Sequence, residues 1–380
     1  MSASSRRPSP PSPSATASPA PSTPPSAGRE GQDRGWLWRV WLLVAVFAAV
    51  ALARSAQVGI GFKDPGGEIL RSRVALSLAI FVGLVLLDAA VRTPRPGWSV
   101  RAAWSTLRER WTGRRLSLAL GGLLAYHCVY FCYHNLKSWD VFRAPRDRML
   151  ESWDHWLFLG HSPAVLLHDL LGQHVAAYVL MVVYESFPTL ASVSFVAALA
   201  LAPRIKEGYV FIASMLWVWI LGVGSYYLVP SLGPFDAAPG DFSGLPRTMI
   251  QATQARYLAQ RDHLLAHPHA ADAFAQISAF ASLHVAVTAA TLLMARYYGL
   301  RRTTRALTVF LVGTVLATIY LGWHFAVDDL AGLVIAFVSV RLGRWMIHPP
   351  RRADGRLTTS GVPLRSAADR PGPARGPARV

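Results

Sequence analysis

The stretch Leu307–Met346, LTVFLVGTVLATIYLGWHFAVDDLAGLVIAFVSVRLGRWM, decides the fold. Two apolar blocks, Leu307–Trp323 and Phe325–Met346, meet at one histidine, His324, and the only acidic residues, Asp328 and Asp329, follow it within about one helical turn. A bilayer-spanning helix needs roughly 20 mostly apolar residues, so each block is long enough to cross and His324 falls at the turn between them. Towards the N-terminus the pattern recurs in Ile277–Met294, Tyr209–Val229, Val175–Ala202, Leu116–Cys132, Val74–Val91 and Trp36–Ala56. The first of these is the weakest, because Arg39 and Arg54 trim it, although long basic side chains can reach the interfaces. Composition agrees: 52% of residues are hydrophobic and 16% charged, against about 25% charged in soluble domains. The mean hydropathy is +0.30. The expected fold is all-α, a polytopic membrane helical bundle of about eight transmembrane helices.

Lys plus Arg number 38 and Asp plus Glu 21, a net charge of +17. Such an excess could meet nucleic acid, but here it lies between apolar blocks, where it sets orientation in a membrane. No nucleic-acid partner is expected. With the N-terminus cytoplasmic, the inner segments collect Arg92, Arg95, Arg101, Arg108, Arg110, Arg114 and Arg115, then Arg204 and Lys206, then Arg296, Arg301, Arg302 and Arg305. One assignment satisfies the positive-inside rule at every hairpin: both termini cytoplasmic in a multi-pass cell-membrane protein.

Five segments follow. Residues 1–35, rich in Pro and Ser, form a disordered cytoplasmic arm. Residues 36–92 hold two N-terminal spans, an addition to a six-helix core. Residues 93–115 form a cytoplasmic amphipathic segment, with Val100, Trp104, Leu107 and Trp111 at helical spacing among arginines. The core occupies 116–347, and 348–380 is a disordered basic tail. On the outer side, Trp153–Gly172 is apolar but too short to span; Ser162 and Pro163 suit a helix start and Gly172 a stop. Pro188 should kink the fourth block, with Glu185 facing a cavity or bonding a neighbouring helix.

Ionisable residues within apolar spans are costly and therefore candidates for function. His324 and Asp328 are four apart, on one helix face, where a carboxylate can hold one ring nitrogen and raise the basicity of the other. The plainer alternative is a histidine at a helix start with an aspartate as N-terminal charge. In Phe280-Ala-Ser-Leu-His284, Ser282 can cap the helix that follows, whose free N–H groups suit a phosphate. From His284 the chain crosses inward, turns at Arg301–Arg305 and crosses back, so both histidines reach the same outer face. Two imidazoles and a carboxylate at one depth suit phosphoryl transfer, one ring attacking phosphorus and the other protonating the leaving oxygen.

Ser-Leu-His at 282–284, with Gly-Trp-His-x3-Asp-Asp-x2-Gly at 322–332, resembles the type-2 phosphatidic acid phosphatase superfamily. The nearer likeness is to its inositol phosphorylceramide synthase (inositolphosphotransferase) branch. It extends over roughly Leu116–Met346, including Asn135-Leu-Lys-Ser138 and Asp154-His-Trp-Leu-Phe158. The resemblance implies a phosphatidic acid phosphatase-like six-helix core, His324 as a nucleophile forming a phosphohistidine, and Asp328 as its orienting partner. It further implies His284 as general acid, Ser282 as a phosphate ligand, and chemistry without a metal or other cofactor. The donor would be a lipid phosphate or phosphodiester in the bilayer, and the acceptor water or a polyol such as inositol.

Three departures stand out. The usual Pro-Ser-Gly-His reads Ala-Ser-Leu-His, Leu matching the synthase branch but Ala281 replacing Pro. The arginine expected six residues before the nucleophile is Thr318. The first basic motif has no counterpart before His284; Lys137 and Arg143 imitate it on an earlier loop, and Arg247 and Arg256 are further phosphate-binding candidates. Loss of the usual cations leaves a second reading, a non-enzymatic transporter subunit or scaffold that retains the fold. Lesser signals are the loop histidines His263, His267 and His269, the helix-face pair Cys128 and Cys132, and Gly222-Val-Gly-Ser225, a faint serine-protease pattern.

Overall fold

A computed structural model describes residues 35–349 and, beyond them, the backbone of the paired two-residue strands Arg352–Ala353 and Arg356–Leu357. The arm expected over 1–35 and the tail expected over 348–380 lie otherwise outside the described residues. The helices run α1 (Gly35–Val58), α2 (Arg71–Arg92), α3 (Val100–Arg110), α4 (Gly113–Trp139), α5 (Asp147–Leu157), α6 (Pro163–Leu171), α7 (Val175–Glu185), α8 (Phe187–Leu201), α9 (Ile205–Leu228), α10 (Pro234–Ala237), α11 (Met249–Ala266), α12 (Leu283–Tyr297), α13 (Arg301–Tyr320) and α14 (Ala326–Ile347). Among the described residues seven helical segments are long and apolar enough to cross a membrane, α7 and α8 counting as one. The protein is a multi-pass helical bundle.

The block Ile277–Met294 differs from its expected form. Only α12, 15 residues long, is helical there. Residues ahead of it are held in an irregular path instead: the N–H groups of Ala275, Phe280 and Ala281 donate to the hydroxyls of Ser138, Ser231 and Ser225. Ser225, which also donates to the Gly222 carbonyl at 2.6 Å, is thereby a strut for the loop leading to Ser282.

Helix α9 is apolar on all sides, the pattern of a helix buried all round, and it packs against α4, α8, α12 and α14. Lipid tails are as apolar as these side chains, so helix association rests on close packing and polar ties worth about 0.6 kcal/mol each. Two such ties hold α9: Tyr209 donates to the Leu118 carbonyl at 2.7 Å, and Tyr298 to the Glu207 carbonyl at 2.8 Å.

The arginine-rich ends gather at one end of the bundle. Asp88, at the end of α2, pairs with Arg92 at 2.8 Å and Arg110 at 2.6 Å, while Arg115 donates to the Ala202 and Pro203 carbonyls. Ser99 caps α3, accepting from the Ala102 N–H, and no residue of α3 is buried, as an interfacial amphipathic helix requires. At the other end Pro163 opens α6 as expected, but Ser162 makes no capping bond. Gly172 closes α6 at φ +74°, where a side chain would be strained. Trp156 and Leu159 are more than four-fifths exposed there, leaving an apolar outer surface on α5–α6. The fourth block breaks at Ser186, directly before Phe187 and Pro188, splitting it into α7 and α8.

Candidate active site

Four helix ends meet beside His324. The turn after α13 is fixed by the Thr318 carbonyl, which accepts from the N–H groups of Trp323 at 3.0 Å and His324 at 3.2 Å. The Thr318 hydroxyl donates to Asp329 at 2.9 Å. The position where a cation was expected is therefore a clamp on the histidine turn. Asp328 is wholly buried: its Oδ2 accepts from the Phe325 N–H at 3.1 Å and lies 3.4 Å from His324 Nδ1. With Nδ1 facing Asp328, Nε2 is the ring nitrogen turned away from that carboxylate. Burial pushes the His324 ring down to about 4; Asp329 opposes the shift, Lys137 adds to it and the Ala279 carbonyl opposes it.

Ser282 caps α12, its hydroxyl accepting from the Val285 N–H at 3.5 Å while its own N–H donates to the Asp328 carbonyl at 3.0 Å. That bond joins α12 to α14 at the level of the two histidines. The approach is so close that a Cβ at Gly332 would collide with the Ser282 carbonyl, which gives the last glycine of the motif its physical reason. The rings of His284 and His324 lie with centroids 5.9 Å apart. His284 is sandwiched between Tyr184 at 4.4 Å and Phe187 at 4.2 Å, residues on either side of the α7–α8 break, and Tyr184 stacks in turn on Trp323. The break thus delivers the aromatic walls that hold His284.

A carboxylate on α5 completes the frame. Asp154 accepts from the N–H groups of Ala326 at 2.7 Å and Val327 at 3.0 Å, capping the helix that carries Asp328. Seven residues earlier, on the same helix face, Asp147 accepts from Leu232 and Gly233 at 2.8–3.1 Å. Burial raises both carboxyls and the backbone N–H bonds oppose the rise. Asp154 belongs to the outer stretch that carried part of the resemblance, but its capping role had no sequence signal, because its partners lie 172 and 173 residues away.

His284 and His324 open on a cavity of about 270 Å³. Of the basic residues expected to bind phosphate, Lys137 and Arg256 line it; Arg143 and Arg247 are exposed and do not. Their spacing could not show this, since Arg143 lies past the end of α4 and Arg247 before the start of α11. Ser282 is likewise buried behind the wall rather than lining it. Glu185 does face the cavity. The sequence reading missed Arg73, His134, Tyr257 and Thr253. Helix α11, which brings Thr253, Arg256 and Tyr257, was announced by a capping box that went unread: Thr248 Oγ1 accepts from Ile250 and Gln251 Oε1 from the Thr248 N–H at 2.8 Å. Gln254 then docks α11 on the Leu321 carbonyl at 2.9 Å, three residues before His324.

The loop histidines stay apart. His263 bonds Asp272 at 3.2 Å and its ring lies 5.4 Å from that of His267, away from the cavity lining. Cys128 and Cys132 are free thiols.

A family model described as PAP2 superfamily matches residues 148–342. No curated protein and no solved structure matches the chain.

Proposed function

Since the chain belongs to the PAP2 (type-2 phosphatidic acid phosphatase) superfamily, we propose that it is a membrane enzyme that transfers a phosphoryl group from a lipid through a phosphohistidine on His324. Membership and the helical bundle support a membrane lipid phosphatase-like role. The observation that carries the finer reading is that His284 and His324 share one cavity, with Asp328 buried against the His324 ring. His324 Nε2 attacks phosphorus, forming an N–P bond as the P–O bond to the leaving group breaks, and His284 gives that oxygen its proton. Asp328 holds the imidazole that becomes cationic. In the second half, His284 takes a proton from the incoming hydroxyl as its oxygen displaces His324 from phosphorus.

Lys137, with its ammonium 5.6 Å from the Tyr226 ring centroid, neutralises the developing charge in place of the missing family cations. The positive-inside distribution supports an arginine-rich end in the cytoplasm and a cavity at the outer face. Ser282 then acts through its cap, holding the start of α12 towards phosphate rather than touching it. Rings along the cavity wall, Tyr130, Tyr133 and Trp219 among them, suit a polyol such as inositol as acceptor, in keeping with an inositolphosphotransferase; water would make the enzyme a phosphatase.

The test incubates purified protein with a lipid donor labelled at phosphorus, without divalent metal, with and without inositol. Labelled inositol phosphate or phospho-inositol lipid indicates transfer, and labelled free phosphate alone indicates hydrolysis. No labelled product from any lipid donor would leave the scaffold reading in place.

A further inference from the structure

At the end of the bundle opposite Asp88 and Arg115, the hairpin α5–α6 is built with its polarity reversed. The residues of α5 that turn inward are Asp147, Leu150 and Asp154, while Trp153, Trp156 and Leu157 are exposed. Helix α6 repeats this, burying Pro163, Ala164 and His168 and exposing Leu166, Leu170 and Leu171. The turn between them presents Leu159, almost wholly exposed at φ +56°, a left-handed conformation that costs a leucine more than a glycine or an asparagine. A helix that faces water turns its apolar side chains inward and its charges outward. Helix α11, which docks on the same end of α13 through Gln254, keeps that order. It buries Ile250, Gln254 and Leu264, and no large apolar side chain between Ile250 and Leu264 is exposed. One outer element is therefore made for water and the other for an apolar medium.

The depth of the hairpin follows from its contacts. Helix α6 stops where α13 stops: His168 Nε2 donates to the Tyr320 carbonyl at 2.9 Å, and the Tyr320 hydroxyl donates to the Gly172 carbonyl at 2.6 Å. The turn lies further in. Phe158 and Ala164 belong to one apolar cluster with Ile319 and Val315, and Val315 is about 7.5 Å of helix rise short of Tyr320. The exposed apolar surface runs on from α6 to Val175, Val179 and Val182 of α7, the start of a span, and both helices pack on α13. At 11 and 9 residues, α5 and α6 are too short to cross. The turn also ties up its own backbone, as an apolar medium demands: the Phe158 N–H donates to the Asp154 carbonyl at 2.9 Å, Gly160 to His155 at 2.6 Å and His161 to Phe158 at 3.1 Å. We propose that α5–α6 is a re-entrant hairpin whose apolar face sits among the lipid tails of the leaflet opposite the arginine-rich end. Its partner is the bilayer itself. Because Asp154 caps α14 from the inward face of α5, lipid contact on the other face steadies the helix that carries Asp328. The seating stands without the phosphoryl-transfer reading; only its effect on turnover rests on that reading.

Two measurements on the full-length protein in phosphatidylcholine–phosphatidylglycerol vesicles test this. In a Cys128→Ala, Cys132→Ala background, a nitroxide is attached through Leu159→Cys or, on α11, through Ala259→Cys. Its collisions with oxygen, which gathers in lipid, are compared with those of a water-soluble nickel chelate. The ratio of oxygen to nickel collisions should be at least tenfold higher at position 159 than at 259. Equal ratios would put the hairpin in water, and a label at 159 shielded from both reagents would mean that protein covers it; either result overturns the proposal. With the native cysteines in place, hydrogen exchange is followed at the Ala326 and Val327 amides, with the core of α9 as folding control. Leu159→Glu should speed exchange at the two capped amides at least tenfold and leave α9 unchanged, while Leu159→Met changes neither by more than twofold. Unchanged exchange at Ala326 and Val327, or an equal rise throughout α9, overturns the link to α14. Turnover in vesicles should fall at least tenfold in Leu159→Glu and less than twofold in Leu159→Met. A protein that meets the collision and exchange expectations but turns over no lipid would keep the hairpin and remove the catalytic reading.

Discussion

The two walls of the cavity are built differently. On the histidine wall each functional group is fixed by short bonds: Thr318 and Asp154 pin the backbone around His324, Asp328 ties the ring, and Ser282 locks α12 to α14. Away from those bonds, the cations Arg73 and Lys137 come to the cavity lining from α2 and α4, helices that lie outside the matched family residues. Groups that make and break bonds need positions fixed to fractions of an ångström, whereas groups that hold charge can act from flexible stems. On the mechanism proposed above, the difference teaches that the α12–α14 frame would set the reaction and the earlier helices would add the charge that meets the substrate.

Substitutions can break this contrast. The largest effect is expected on the pinned wall: His324→Ala or Asp328→Asn should lower kcat about 10⁴-fold, as loss of the nucleophile or of its correct tautomer does elsewhere. Steady-state turnover in detergent, with thermal melting as the folding control, checks this; wild-type rates in both variants would mean that the roles are misassigned. The pH profile sharpens the same point. In the proposed mechanism the neutral His324 ring attacks and burial holds it down to about 4. The acidic limb of kcat/KM should therefore lie near that value, well below the usual histidine range of about 6.5, while loss of the His284 proton sets a separate alkaline limb. An acidic limb near the usual value would show a solvated ring.

On the cation wall the expected losses are smaller. Lys137→Ala should cost about 10- to 100-fold in kcat/KM, the range of one charge-assisted hydrogen bond, while Arg247→Ala and Arg143→Ala stay near wild type. Equal losses at all three positions would deny that the cavity selects among them. Smallest is the frame itself: Asp154→Asn keeps the shape of the cap but weakens it, so melting should report a loss of about 1–2 kcal/mol with kcat reduced a few-fold and KM unchanged. A rise in KM alone would place Asp154 on the substrate instead.

Most of the pinned wall was legible in the amino-acid order, because its pieces are local. A four-residue step joins His324 to Asp328, a serine directly precedes the helix of His284, and two apolar crossings return both histidines to one end. The bundle was legible for the same reason, each span being a contiguous block. What escaped was long-range. Arg73 reaches the cavity only because α2 packs beside α8, and Asp154 caps a helix far along the chain. Glu185 and Pro188 marked the break in the fourth block, but not that Tyr184 and Phe187 would close on His284. Ser282 read as a phosphate ligand from its motif, and the fold turned it inward as a cap. The start of the block Ile277–Met294 is not helical, and there two distant serines, Ser231 and Ser225, capture the N–H groups of Phe280 and Ala281.

The covalent intermediate tests all of this most directly. Wild-type protein turning over a lipid labelled at the reacting phosphorus is quenched in alkali, where a phosphohistidine persists, then digested and mapped. The label should sit on the peptide containing His324 and be absent from His324→Ala. Turnover with no labelled histidine, or with the label on another residue, would contradict it.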